Sequence, residues 1–385
     1  MIKRVRIQNY KSLDWVDVHL DPVTVLIGRS GTGKSNFVEA LRFLRDYVTY
    51  RNDTFVGNLG GWGRILSATA PRPLSFSFSL CFDAPGVSED YEYTLSFQQS
   101  PKQDPYAQPA FQEERLSLGN RVLFHQSQGK WLHQPDVVNP PSPGLLMLGA
   151  LTGVREVTIA HLVLSSGLGC YAFPDTVLLQ PAPPSASPSP QEIGLSDRGK
   201  NYLQVFSAIT INLQAWHHLK EMVAALQKLN PSIKGVDLLL PQRNKIVVSH
   251  DVGGRLLVLD LDQESEGFRR FLAHLIALYQ VPPKQTLVFE EPEKGIHPGA
   301  LAVLADQFKV CPEAGRGQVI LTSHSPELLD HFEPEQIRVV EMENYATKIG
   351  PLAPEQMEAL REQLLRPGEL LTVDPARLAP ASTQG

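Results

Sequence analysis

The chain opens on alternation. Residues 2–8 (IKRVRIQ) and 15–20 (WVDVHL) place apolar side chains at every second position, the pattern of strands with one covered face. Residues 22–27 (PVTVLI) form a continuous apolar run, as in a strand covered on both faces. A glycine-rich turn follows, and helical spacing begins at Ser35 (SNFVEALRFLRDYV). Between 74 and 135 the runs LSFSFSLCF, YEYTLSF and ERLSLGNRVLF are separated by turn residues and predict an antiparallel meander. Helical character is weaker over 145–170. The stretch 181–190 (PAPPSASPSP) suits neither helix nor ladder and reads as an exposed linker or loop tip. Leu203, Phe206, Ile209, Leu213, Trp216 and Leu219 recur at helical spacing and predict one long helix over 200–229. Strands are expected at 245–249 and 255–261, a helix from Gly267 to Gln280, and buried strands at 286–290 (TLVFE) and 318–323 (QVILTS). The last ten residues read as disordered, and no internal repeat or heptad run is present.

At 385 residues, 42% hydrophobic and 20% charged, the chain has the composition of a globular protein with a sizeable core. The net charge of −6 gives no global attraction to nucleic acid or to an anionic membrane. Cys81, Cys170 and Cys311 are far apart, so neither a disulfide framework nor a zinc site is predicted. The N-terminus lacks a signal-peptide core and no apolar stretch is long enough to span a bilayer, so a cytoplasmic protein without membrane contact is expected.

Chemistry concentrates in three places. Gly28-Arg29-Ser30-Gly31-Thr32-Gly33-Lys34-Ser35 is a complete GxxxxGK[ST] match set between a buried strand and a helix, with Asn36 continuing the helix. Its glycines let successive N–H groups and the helix N-terminus face phosphates. Lys34 supplies charge for the β and γ phosphates of ATP, and the Ser35 hydroxyl is a magnesium ligand. The second place is the strand end Phe289-Glu290-Glu291-Pro292, where alternation sends adjacent carboxylates to opposite faces. Glu290 is expected to hold magnesium through water and Glu291 to polarise the attacking water. The third is His324 in Thr322-Ser323-His324-Ser325-Pro326, which from a strand's C-terminal end can reach a γ-phosphate.

GRSGTGKS, LVFEEPEKGIHP and VILTSHSPELLD resemble the Walker A, Walker B and switch-histidine motifs of the SMC/RecF/OLD-like branch of ABC ATPases. Asn9-Tyr10-Lys11-Ser12 is similar to that branch's N-terminus, and Leu195-Ser196-Asp197-Arg198-Gly199-Lys200-Asn201 to a motif of its single-head members. The resemblance covers residues 1–50 and about 195–350 well and the middle poorly. It implies an α/β fold: a P-loop NTPase of the ABC-type head class, with a mixed central sheet, an antiparallel β-subdomain and a helical lobe. The head would be one discontinuous domain: a nucleotide-binding core of 1–55 and 236–350, a β-subdomain of 70–140, a helical lobe of 141–235, and a C-terminal helix and tail of 351–385. It also implies a signature motif contacting the partner's ATP, for which Ser265-Glu266-Gly267 at a helix start is the match, and therefore an ATP-dependent homodimer. No residue is assigned to the glutamine loop.

The long coiled-coil arms of SMC heads and the Toprim nuclease of OLD proteins have no counterpart in this sequence. A transporter subunit is a minor reading. Two larger ones stand. One is a RecF-like ATPase that grips DNA, with Arg42, Arg45 and Arg51, or Arg269 and Arg270, lining the surface. The other, favoured by the acidic balance, is an ATP-controlled scaffold or sensor acting on a separately encoded effector, as in bacterial defence or toxin-like systems.

Overall fold

In the computed structural model the described residues are 1–50, 64–67, 75–98, 110–151, 153–180, 194–213, 215–239 and 245–380. The linker expected at 181–190 lies outside them. The chain divides into two compact units. The first comprises Met1–Leu168, Pro334–Leu365 and Pro375–Gly385; the second comprises Gly169–Glu333 and Arg366–Asp374.

In the first unit the alternating runs become one antiparallel sheet, in the order β2-β1-β4-β5-β6-β7-β8. Its strands are β1 (Ile2–Tyr10), β2 (Leu13–His19), β4 (Ser75–Phe82), β5 (Tyr91–Gln98), β6 (Ala110–Leu118), β7 (Arg121–Ser127) and β8 (Lys130–His133). Phe76, Phe78, Leu80 and Phe82 of β4 and Tyr91, Tyr93, Leu95 and Phe97 of β5 are all buried, as the period of two requires. Helix α1 (Lys34–Tyr50) meets this aromatic face through Phe43, whose ring lies 5.7–6.3 Å from those of Tyr10, Phe76, Phe78 and Phe97. Strand β3 (Val23–Ile27) is buried at every residue. It runs parallel to β15 (Ile337–Glu343), with Val25 opposite Ile337, and β15 pairs antiparallel with β16 (Ala346–Gly350). Residues 376–380, expected to be disordered, instead fold back: Leu378 bridges Leu352 and the Ala379 N–H reaches the Pro351 carbonyl.

The second unit contains the strand order β14-β13-β9, with β13 (Thr286–Glu290) parallel to β14 (Gln318–Thr322) and β9 spanning Leu168–Tyr171. A separate antiparallel sheet is formed by β10 (Ile233–Leu239), β11 (Lys245–Val252) and β12 (Arg255–Asp260). Phe289 on β13 packs against Tyr171, His274 and Phe308. The long helix predicted over 200–229 is two helices, Tyr202–Ile211 and Trp216–Leu229. The break falls at Asn212, which is extended (φ −82°, ψ 109°). β-Branched Ile209, Thr210 and Ile211 followed by Asn212 are weak helix formers, and the periodicity of Leu203 to Leu219 masked that local preference. Leu213 and Trp216, two of the residues at that spacing, are 91% and 55% exposed.

Candidate active site

The first unit carries the glycine-rich loop expected to bind phosphate. The chain leaves β3 at Gly28, whose φ is +155° and whose Cβ, if it had one, would lie 2.1 Å from the Val340 carbonyl oxygen on β15. Only glycine lets the loop start this close to its neighbour. Gly31 and Gly33 also have positive φ, at 81° and 103°. Arg29, Ser30 and Gly31 are exposed, and the Thr32 hydroxyl donates to the Arg29 carbonyl at 2.9 Å. Lys34 is buried, and its ammonium donates back across the loop to the carbonyls of Gly28 (2.8 Å) and Arg29 (3.0 Å). Ser35 is exposed in the first turn of α1, with Asn36 half-buried behind it. That turn contains no acidic residue, so no carboxylate within it neutralises the positive end of the helix dipole. The arrangement suits a polyphosphate: N–H groups and a helix N-terminus at the loop, a cation across it, and an exposed hydroxyl of the hard-oxygen kind magnesium takes.

The second unit carries the carboxylates. β13 ends at Glu290, and Glu291 is the first residue beyond it, in the left-handed region with φ +48°. The expectation that both carboxylates sit on the strand is thus corrected: Glu291 lies in a turn beyond it, in a costly conformation. That conformation is pinned by the Glu291 N–H donating to the Thr322 carbonyl of β14 at 3.0 Å. Glu291 Oε1 lies 3.4 Å from His324 Nε2, and Oε2 contacts the Lys294 ammonium. The structure therefore brings together Glu291 and His324, residues 33 positions apart by their numbers (324 − 291).

Glu293 was not singled out by the sequence, although it is the third acid of EEPE. Its Oε1 accepts from the Ser323 hydroxyl (3.0 Å) and the His324 N–H (2.8 Å), tying the turn after β13 to the segment after β14. Burial raises its carboxyl above the usual range, against which those hydrogen bonds act, and the neighbouring Glu291 charge adds slightly.

Ser265 caps helix α5, as we number Glu266–Tyr279 after α2 (Arg155–Leu164), α3 (Tyr202–Ile211) and α4 (Trp216–Leu229). Its hydroxyl accepts from the Phe268 N–H at 3.2 Å. Gly267 passes close to the turn after Glu291, since a Cβ there would meet the Gly295 carbonyl at 2.9 Å. Glu266 is paired with Arg270 at 2.8 Å. Arg269 is only 8% exposed and grips both oxygens of Asp175, at 2.7 and 2.8 Å. The basic surface expected of Arg269 and Arg270 is therefore absent: one is buried and both are engaged within the fold. Arg45 pairs with Asp46, and Arg51 lies outside the described residues.

Two family models match the sequence, one described as "AAA ATPase domain" over residues 1–65 and one as "AAA domain, putative AbiEii toxin, Type IV TA system" over 185–330. No curated protein matches. Among solved structures, the SmcHead bound to the C-winged helix domain of ScpA is 15% identical with a TM-score of 0.55, over 92% of this chain and 99% of that one. This chain has the fold of an SMC ATPase head. The SMC head domain from Thermotoga maritima is similar at 13% identity and TM-score 0.50, over 91% of the head and 98% of that chain. The Smc head domain with an extended coiled coil bound to the C-terminal domain of ScpA, derived from Pyrococcus furiosus, matches at 12% and 0.55, over 94% and 99%. At these identities the structures establish the fold of the head, and the two sequence models supply its ATPase character: it binds and hydrolyses ATP. Among the described residues no helix is long and apolar enough to cross a membrane.

Proposed function

We propose that the head hydrolyses ATP with magnesium through Lys34, Glu291 and His324, and that it closes as an ATP-dependent homodimer to control a separate effector protein. The observation that carries this reading is the pinned turn at Glu291, which spends a left-handed residue to set a carboxylate beside His324. Residues Gly28 to Asn36 bind the phosphates, with Lys34 countering their charge. Ser35 and Glu290 offer the oxygen donors that would hold magnesium, which when bound neutralises charge developing on the β and γ phosphates. Glu291 accepts the proton of the attacking water, and His324 contacts the γ-phosphate.

Ser265 and Gly267, at the start of a 14-residue helix, are the surface proposed to meet the partner's γ-phosphate. Control of an effector is supported by the net charge of −6 and by the burial and pairing of Arg269. It also draws on the likeness to SMC heads whose structures contain a bound ScpA domain, and on a family described as toxin-related. The DNA-gripping alternative loses its Arg269 and Arg270 surface. Light scattering of Glu291→Gln tests the dimer: with ATP and magnesium the mass is expected to double from 42.6 kDa. An unchanged mass removes the Ser265 and Gly267 assignment. A DNA shift at physiological salt in place of doubling would favour the RecF-like reading.

A further inference from the structure

We infer that Thr347, on β16, is a positioning residue for the phosphate loop, acting through a one-way relay of hydrogen bonds from Asn36 by way of Ser12. This deepens the ATP-binding reading above and rests on it. Thr347 is fully buried and more than 300 residues from the loop in sequence (347 − 34 = 313). Its hydroxyl donates to the Thr32 carbonyl at 2.8 Å. A hydroxyl has one proton, so the contact between the Thr347 and Ser12 hydroxyls at 2.7 Å is donated by Ser12. Ser12 in turn accepts from the Asn36 side-chain N–H at 2.7 Å. The relay thus starts in the first turn of α1, beside Ser35, and returns to the loop two residues before Lys34. It is registered by the Thr347 backbone N–H, which donates to the Ser12 carbonyl.

The direction of the last bond gives the relay its consequence. In a planar trans peptide the carbonyl and the following N–H point opposite ways. Holding the Thr32 carbonyl toward Thr347 turns the Gly33 N–H away from β16, to the side on which a phosphate is met. Gly33 is also approached closely by β16: a Cβ on it would fall 2.0 Å from the Thr347 hydroxyl oxygen and 2.9 Å from that of Ser12. Without the Thr347 hydroxyl nothing in this relay holds the 32–33 peptide in that orientation, and Ser12 loses its acceptor. Valine keeps the shape of threonine and removes only the O–H; serine keeps the O–H.

The test is ADP binding by isothermal titration calorimetry on the full chain, for the native protein, Thr347→Val, Thr347→Ser, Ser12→Ala and Lys34→Ala. Thr347→Val is expected to raise the Kd for ADP about tenfold, the worth of one oriented phosphate contact. Ser12→Ala is expected to raise it less, and Thr347→Ser to restore the native value. The shift in melting temperature on adding ADP should shrink in Thr347→Val. A residue that merely holds the fold would lower the nucleotide-free melting temperature and leave the ADP affinity of the folded protein alone. If Lys34→Ala loses ADP while Thr347→Val binds it natively, the relay is refuted and the loop assignment stands. If Lys34→Ala also binds natively, the loop assignment itself fails.

Discussion

Replacing His274 should change how the second unit responds to acid, by an amount the structure sets. His274 lies on α5, 5% exposed, with Phe173 edge-on at 5.0 Å and Phe289 and Phe308 around it. Its Nδ1–H donates to the Arg270 carbonyl at 2.7 Å. Burial lowers its pKa from 6.5 to about 4, helped by the Arg270 charge and opposed by that hydrogen bond. The unfolded chain therefore binds a proton that the folded one refuses between pH 6.5 and about 4, and stability is lost as pH falls through that window. The whole effect is about 3 kcal/mol, of which about 2 kcal/mol has been lost at pH 5. The raised carboxyls of Glu293 and Glu114 push the other way, gaining stability as pH falls. They are common to both proteins, so the comparison removes them. His274→Leu fills the site without a titratable group. Urea unfolding followed by circular dichroism at pH 7.5 and pH 5 should show the stability difference between variant and native protein moving by about 2 kcal/mol in the variant's favour at the lower pH. The same difference at both pH values would refute the assignment of His274 as a buried neutral imidazole.

Two further variants probe the internal anchors. Asp175→Ala removes the partner of a guanidinium that is 8% exposed, and is expected to cost about 3 kcal/mol in urea unfolding; a loss under about 0.5 kcal/mol would mean Arg269 finds water or another acceptor. Glu114→Leu strands the N–H groups of Met147 and Leu148, the Gln126 amide and the Tyr93 hydroxyl, all donors to one fully buried carboxylate. A loss of about 3 kcal/mol or more in the same assay is expected, and near-native stability would contradict the picture of a satisfied buried acceptor.

Sequence reasoning went furthest where a pattern and a chemistry coincide. The buried run Val23–Ile27, the glycine loop and α1 follow from a strand with no polar face feeding a helix whose N-terminus is kept free of acids. The alternating strands of the meander were legible because β4 and β5 keep strict period two. That β1 and β2 join the same sheet was not, since pairing partners depend on contacts distant in sequence. The strand Ile233–Leu239 was missed because IKGVDLL holds a glycine and does not alternate cleanly. At the site, residue identity pointed to Glu290, Glu291 and His324, but the left-handed turn at Glu291 leaves no trace in composition. Glu293 and Thr347 were hidden for a related reason: each acts through a hydrogen bond to an element far along the chain.

The central claim, that Glu291 is the base of an ATPase, is tested most directly by the rate of phosphate release at saturating ATP and magnesium for the native head and for Glu291→Gln. The account predicts turnover by the native protein and a loss of at least about 100-fold in the variant, with ATP still bound. A variant that retains ATP and hydrolyses it at the native rate would contradict it.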